Sequence, residues 1–63
     1  MGRNQASHQQ RIATTWAAGT LTQRGWALES DEYGWLVQEP NDGAWHHAAD
    51  WRELCDIARG ALT

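Results

Sequence analysis

The stretch from Trp26 to His47 constrains the fold most, because two turn signals divide it into three short strand-like runs. Trp26-Ala27-Leu28-Glu29-Ser30 alternates apolar with small or polar residues, Trp35-Leu36-Val37-Gln38-Glu39 follows, and Ala44-Trp45-His46-His47 closes the set. Runs of this length, bounded by glycine, asparagine and aspartate, read as strands of an antiparallel meander. Asp31-Glu32-Tyr33-Gly34 suits a four-residue hairpin loop, with Gly34 supplying positive φ at its end. That loop pairs Ser30 with Trp35 and Leu28 with Val37. Trp26, Leu28, Trp35 and Val37 then share one face, and Ala27, Glu29, Leu36 and Gln38 the other. Asn41-Asp42-Gly43 suits a type I turn with Gly43 in a bulge. This second loop sets Trp45 opposite Glu39, on the face of Trp26 and Trp35. Since side chains alternate along a strand, a loop one residue shorter or longer would send Trp45 to the other face.

Two helical patterns flank the meander. Residues 1–6 are polar and unpatterned and read as a disordered tail, leaving 7–63 as a single domain. Ser7 and Gln10 fit a capping box, and Ile12, Ala13, Trp16, Ala17, Thr20 and Leu21 recur at helical spacing. A first helix is expected over Ser7 to Arg24, ended by a left-handed Gly25. Gly19 interrupts it at a cost of about 1 kcal/mol against alanine, which a tightly packed indole would explain. The second helix starts near Asp50, an N-cap with Glu53 in the reciprocal role. Trp51, Leu54, Cys55, Ala58, Ala61 and Leu62 form its apolar stripe, with Ile57 beside it and Arg52, Glu53, Asp56 and Arg59 facing outward. The expected architecture is α+β: a three-stranded antiparallel β-meander with two flanking helices packed on one face, in the order α-β-β-β-α.

Composition enters where this architecture meets its limits. At 63 residues the chain is one small domain, and its single cysteine, Cys55, allows no intramolecular disulfide. A free thiol and no apolar run of membrane or signal length point to the cytoplasm. Five tryptophans exceed what a core this small can enclose. Trp16, Trp35 and Trp51 are expected to be mainly buried, with Trp26 or Trp45 more accessible, or the Leu36 side of the sheet left open. Such an exposed apolar patch suits a partner or a homodimer seam. All five basic residues are arginines: Arg3, Arg11, Arg24, Arg52 and Arg59. None lies between Gly25 and Trp51, where Glu29, Asp31, Glu32, Glu39, Asp42 and Asp50 give the sheet a local balance of −6. That face is unfriendly to phosphate and friendly to a basic protein surface. The plainer reading of the same carboxylates is a solvated surface that keeps the protein in solution.

No motif names a reaction. His46 and His47 are neighbours in a strand and point to opposite faces, and the chain has no paired-cysteine or HxxxH spacing, so neither a metal nor a cofactor is expected. His46 and Asp50 span a strand-to-helix junction, which could bring them close. Cys55 sits on an apolar stripe, where burial makes a thiol inert, and the exposed Asp31-Glu32 pair is no general acid; no enzyme is expected. Direct nucleic-acid binding would rest on Arg52 and Arg59 of the second helix; against it stand the missing lysines, the acidic sheet and the lack of a helix-turn-helix pattern, since a phosphate footprint needs several cooperating cations.

Protein binding remains, with Glu29, Asp31, Glu32, Tyr33, Glu39 and Asp42 as the acidic rim and Trp26 and Trp45 as anchors. The size, the missing lysine and the acidic sheet resemble small phage or mobile-element proteins in general character, anti-CRISPR proteins among them. That resemblance implies stoichiometric inhibition: the acidic hairpins would occlude a basic, nucleic-acid-binding surface of a host protein. The alternative is a small dimeric DNA-binding regulator that uses the arginines of the second helix.

Overall fold

A computed structural model describes residues 2–63, with side chains from His8 onward. The elements are α1 (Gly2–Gln23), β1 (Ala27–Asp31), β2 (Gly34–Gln38), β3 (Trp45–Ala48) and α2 (Trp51–Leu62). This is the α+β order read from the sequence, with an antiparallel sheet ordered β1-β2-β3.

The helix ends follow local chemistry. α1 begins at Gly2 rather than at Ser7; the capping box expected of the Ser7 side chain lies outside the described residues. At its other end the Trp26 amide donates to the Leu21 carbonyl and the Gly25 amide to that of Thr22, both at about 3.0 Å. Gly25 has φ +88°, so the turn is a Schellman motif with glycine at its left-handed position. The motif aims Trp26 back at the core and starts β1. α2 opens on Asp50, whose Oδ1 accepts from the Glu53 amide at 3.0 Å. Glu53 Oε1 accepts in turn from the Ala49 amide at 3.0 Å, which completes the cap.

The first hairpin keeps the expected register, with Ser30 opposite Trp35 and Leu28 opposite Val37. Pairing runs one step further, to Asp31 opposite Gly34, and the Tyr33 amide donates to Asp31 Oδ1 at 2.8 Å to close the turn. Gly34 has φ +128°, and it lies so near the chain leaving β3 that an added Cβ would sit 2.1 Å from the Ala48 carbonyl oxygen.

The second hairpin differs from expectation by one residue. Trp45 pairs with Gln38, not Glu39. Positive φ falls on Asn41 (61°) and Asp42 (58°) instead of on Gly43, so the chain reverses through two left-handed residues. Asn and Asp tolerate that conformation better than other side-chain-bearing residues. The Glu39 amide donates to the Ala44 carbonyl at 3.0 Å, which holds the shorter loop in place. By alternation Trp45 moves to the face of Ala27, Glu29, Leu36 and Gln38, away from Trp26 and Trp35.

The core consists of Ala17, Leu21, Val37, Ala48, Leu54, Cys55 and Ala58. Among the described residues only Leu21, Val37 and Leu54 are large and fully enclosed, each worth about 1.5–3 kcal/mol of transfer free energy. α1 packs chiefly on α2, and more lightly on β1, while α2 covers β3. Small residues line the helix–helix seam: Ala13 and Ala17 from α1 meet Cys55 and Ala58 from α2. The Cys55 thiol donates to the Ala13 carbonyl at 3.6 Å, a measure of how closely the backbones approach.

That close seam has no room for an indole. Trp16, expected inside, is 42% exposed, and Ile12 beside it is 55% exposed. Trp26, Trp35 and Trp51 are half-buried against the core. Leu62, placed on the α2 stripe by spacing, is exposed at the helix end. The indole expected to pack against Gly19 is also missing, since a Cβ there would meet nothing within 4 Å.

Candidate partner-binding face

The sheet has one face turned to the helices and one left open. Across the open face, Glu29, Leu36 and His47 form one row and Ala27, Gln38 and Trp45 the next, with Asp31 at the hairpin end. Neighbouring strands lie about 4.8 Å apart and alternate residues about 6.8 Å apart, so these side chains cover a patch of roughly 10 by 14 Å. Trp45 is 52% exposed, and Leu36 is half-buried at the centre. Gln38 is held flat by its Nε2 donating to the Gly43 carbonyl at 3.1 Å, which ties the Trp45 row to the β2–β3 turn. Tyr33, at the opposite turn, is 72% exposed beside Glu32.

The patch therefore combines an indole and an isobutyl group with the carboxylates of Glu29 and Asp31, and the exposed Glu32 and Tyr33 stand in the turn at its end. No arginine or lysine occurs anywhere in the three strands or their turns. Desolvating such carboxylates against an uncharged surface would cost several kcal/mol, whereas a surface bearing Arg or Lys replaces their water with charge-assisted hydrogen bonds.

Not every residue singled out by sequence joins this face. Glu29, Asp31 and Trp45 do, while Glu32 and Tyr33 sit exposed in the β1–β2 turn at one end and Asp42 in the β2–β3 turn at the other. Trp26 and Glu39 lie elsewhere. Glu39 Oε2 sits 2.6 Å from His46 Nε2, and the His46 ring lies 5.8 Å from that of Trp26, tilted by 36°. These three residues close the edge of the core on the helix-facing side. His46 thus takes Glu39 as its partner and not Asp50, which caps α2.

Leu36 stands at the centre of the open face, on the side of the sheet expected to be left open, and His47 beside it is a residue of the face that sequence reasoning did not place there. The alternation of β2 carried the signal for Leu36; His47 needed the register of β3, which sequence placed one residue off. Among the described residues no three His, Cys, Asp or Glu side chains come together in a way that would hold a metal ion. Cys55 is buried, and that burial pushes its thiol pKa up; Arg59 nearby pulls it down and Asp56 pushes it up, both to a lesser degree. A neutral thiol inside a helix seam is no nucleophile. No helix among the described residues is long and apolar enough to cross a membrane.

No protein family, no curated protein and no solved structure matches the chain.

Proposed function

We propose that the chain is a non-catalytic binding module whose open sheet face docks on a basic surface of a partner protein. The reading rests on one observation above all. The shortened β2–β3 loop sets Trp45 on the solvent face diagonal to Leu36, across β2 from the β1 edge that carries Glu29 and Asp31. An aromatic anchor with a carboxylate rim joins a large contact area to charge steering, the combination that hot spots and fast association both use. A surface rich in arginine or lysine most often serves nucleic acid. The module's preferred action is accordingly to occupy such a surface and exclude its nucleic acid, as an inhibitor of phage or mobile-element origin would do to a host factor.

The alternative, a DNA-binding regulator, finds less support. It depends on two cations of α2, Arg52 over the Trp51 ring at 5.2 Å and Arg59. Two cations beside an acidic sheet give a shallow electrostatic footprint for a polyphosphate.

The experiment is capture from a host lysate on immobilised protein, at low and at high salt, with mass spectrometry of the bound fraction. The double variant D31K/E32K runs beside the wild type. The proposal expects a nucleic-acid-binding protein that elutes with salt, is lost from the double variant, and is released from its nucleic acid by added wild-type protein. If both proteins capture the same set, charge steering by the β1–β2 turn is wrong. Recovery of nucleic acid in place of protein would favour the regulator.

A further inference from the structure

A second apolar surface lies between the two helices and includes no residue of the sheet. Its α1 wall is Gln9, Ile12, Ala13 and Trp16, spaced i, i+3, i+4, i+7 along one helix face. Trp51 and Cys55 form the floor on α2, and Arg52 and Arg59 stand along its rim. The groove has a volume of 420 Å³. Ala13 and Cys55 bring the two helices together beside it, the thiol donating to the Ala13 carbonyl at 3.6 Å.

We propose that this groove docks an acidic amphipathic helix of a partner protein, a site separate from the open sheet face. Two packed helices with a trough between them present the shape that takes a third helix, read by apolar anchors at i, i+3 or i+4, and i+7. Charge selects which helix. Arg52 and Arg59 are seven residues apart, about 10.5 Å along α2, which matches two carboxylates two turns apart on the incoming helix. None of the groove's lining residues is acidic. Arg59 is paired with Asp56, but both side chains are more than 60% exposed, and a solvated pair of this kind exchanges partners at little cost.

A second copy of this chain fits less well. α1 carries no Asp or Glu along its length, and the two acids of α2, Glu53 and Asp56, stand among its own arginines. Neither helix supplies an apolar stripe flanked by acids alone. A phosphate backbone would need more cations than the two on this rim.

The test uses the full chain and two synthetic amphipathic peptides of about 18 residues, long enough for a helix to form on the surface. Both carry leucine at i, i+3, i+4 and i+7; one has glutamate and the other lysine at the flanking positions. Binding is followed by tryptophan emission and by calorimetry. The glutamate peptide should bind at least about tenfold tighter than the lysine peptide. R52E/R59E should invert that preference, and Trp16→Ala should weaken the glutamate peptide by about tenfold or more. Circular dichroism checks that each variant is folded, and D31K/E32K should bind as the wild type does, which separates this groove from the sheet face. Equal binding of the two peptides, or of neither, overturns the proposal. So does concentration-dependent self-association that Trp16→Ala abolishes, because the groove would then be filled by a second copy.

Discussion

Replacing glycine by alanine at three positions should give opposite results whose signs follow from the space around each. Gly19 in α1 and Gly60 in α2 are exposed, and a Cβ at either would meet nothing within 4 Å. Each alanine removes backbone freedom from the unfolded chain and gains helix propensity, so each should stabilise by about 0.8–1 kcal/mol. Gly34 is the reverse. Its φ of +128° is one that side-chain-bearing residues rarely adopt, and the new Cβ would sit 2.1 Å from the Ala48 carbonyl oxygen. Backbone strain of about 1–3 kcal/mol adds to about 1–3 kcal/mol for displacing the chain between β3 and α2. A chain of 63 residues has a total stability of roughly 3–9 kcal/mol, so Gly34→Ala should remove a large part of it. The assay is urea unfolding followed by tryptophan emission and far-ultraviolet circular dichroism. With a slope near 1 kcal/mol/M, each helix variant should raise the midpoint by about 1 M and the pair by about 2 M. The melting temperature should rise by about 4–8 °C for each. A Gly34→Ala midpoint equal to wild type would refute the close approach of β2 to the end of β3. A fall in stability at Gly19 would mean that something packs there after all.

Three further outcomes are expected. Burial holds the Cys55 thiol above its ordinary pKa of 9.0, so its contribution is fully present below that pH and is lost as pH rises through the folded pKa; urea midpoints should fall as pH rises above 9.0, and less steeply in Cys55→Ala. Asp42→Gly relieves a left-handed φ of 58° and should raise stability by about 0.5 kcal/mol, after the greater unfolded-state freedom of glycine is offset; a lower melting temperature would show that the Asp42 side chain supports the turn. Leu54→Ala should cost about 2–5 kcal/mol because Leu54 is fully enclosed, whereas Trp45→Ala should cost less than about 1 kcal/mol and be felt in partner binding. Equal losses at the two positions would place Trp45 in the core.

Much of this architecture was legible because local chemistry and tertiary packing agree. Gly25 after an amphipathic run, Asp50 three residues before Glu53, and Gly34 at a hairpin end each specify a backbone conformation without help from the rest of the chain. The β2–β3 loop was less legible. Asn41-Asp42-Gly43 admits either a left-handed glycine after a type I turn or a left-handed Asn-Asp pair, and local preference leans toward the glycine. The ladder decides instead, by bringing the second histidine and Trp45 outward and Ala48 inward to pack beneath the helices. Trp16 was misplaced for a related reason. Spacing places it on the inner stripe of α1, but spacing carries no volume, and a seam of alanines excludes an indole. The candidate site inherits both effects: its carboxylates were readable as composition, and the position of its anchor depended on a single residue of register.

The seam between α1 and α2 joins the two ends of the chain, since Ala13 and Cys55 are 42 residues apart and the whole meander lies between them. Hairpins of this size close within microseconds, but the meander alone has no cover for Val37 and Ala48. Most of the core therefore becomes available only when α2 folds back on α1. During synthesis the growing polypeptide would remain open until α2 had left the ribosome, and release of that helix would trigger folding in one step. A ribosome-bound chain lacking residues 51–63 should accordingly stay open to proteases, while one extended beyond Thr63 by a linker long enough to clear the exit tunnel should become protected all at once.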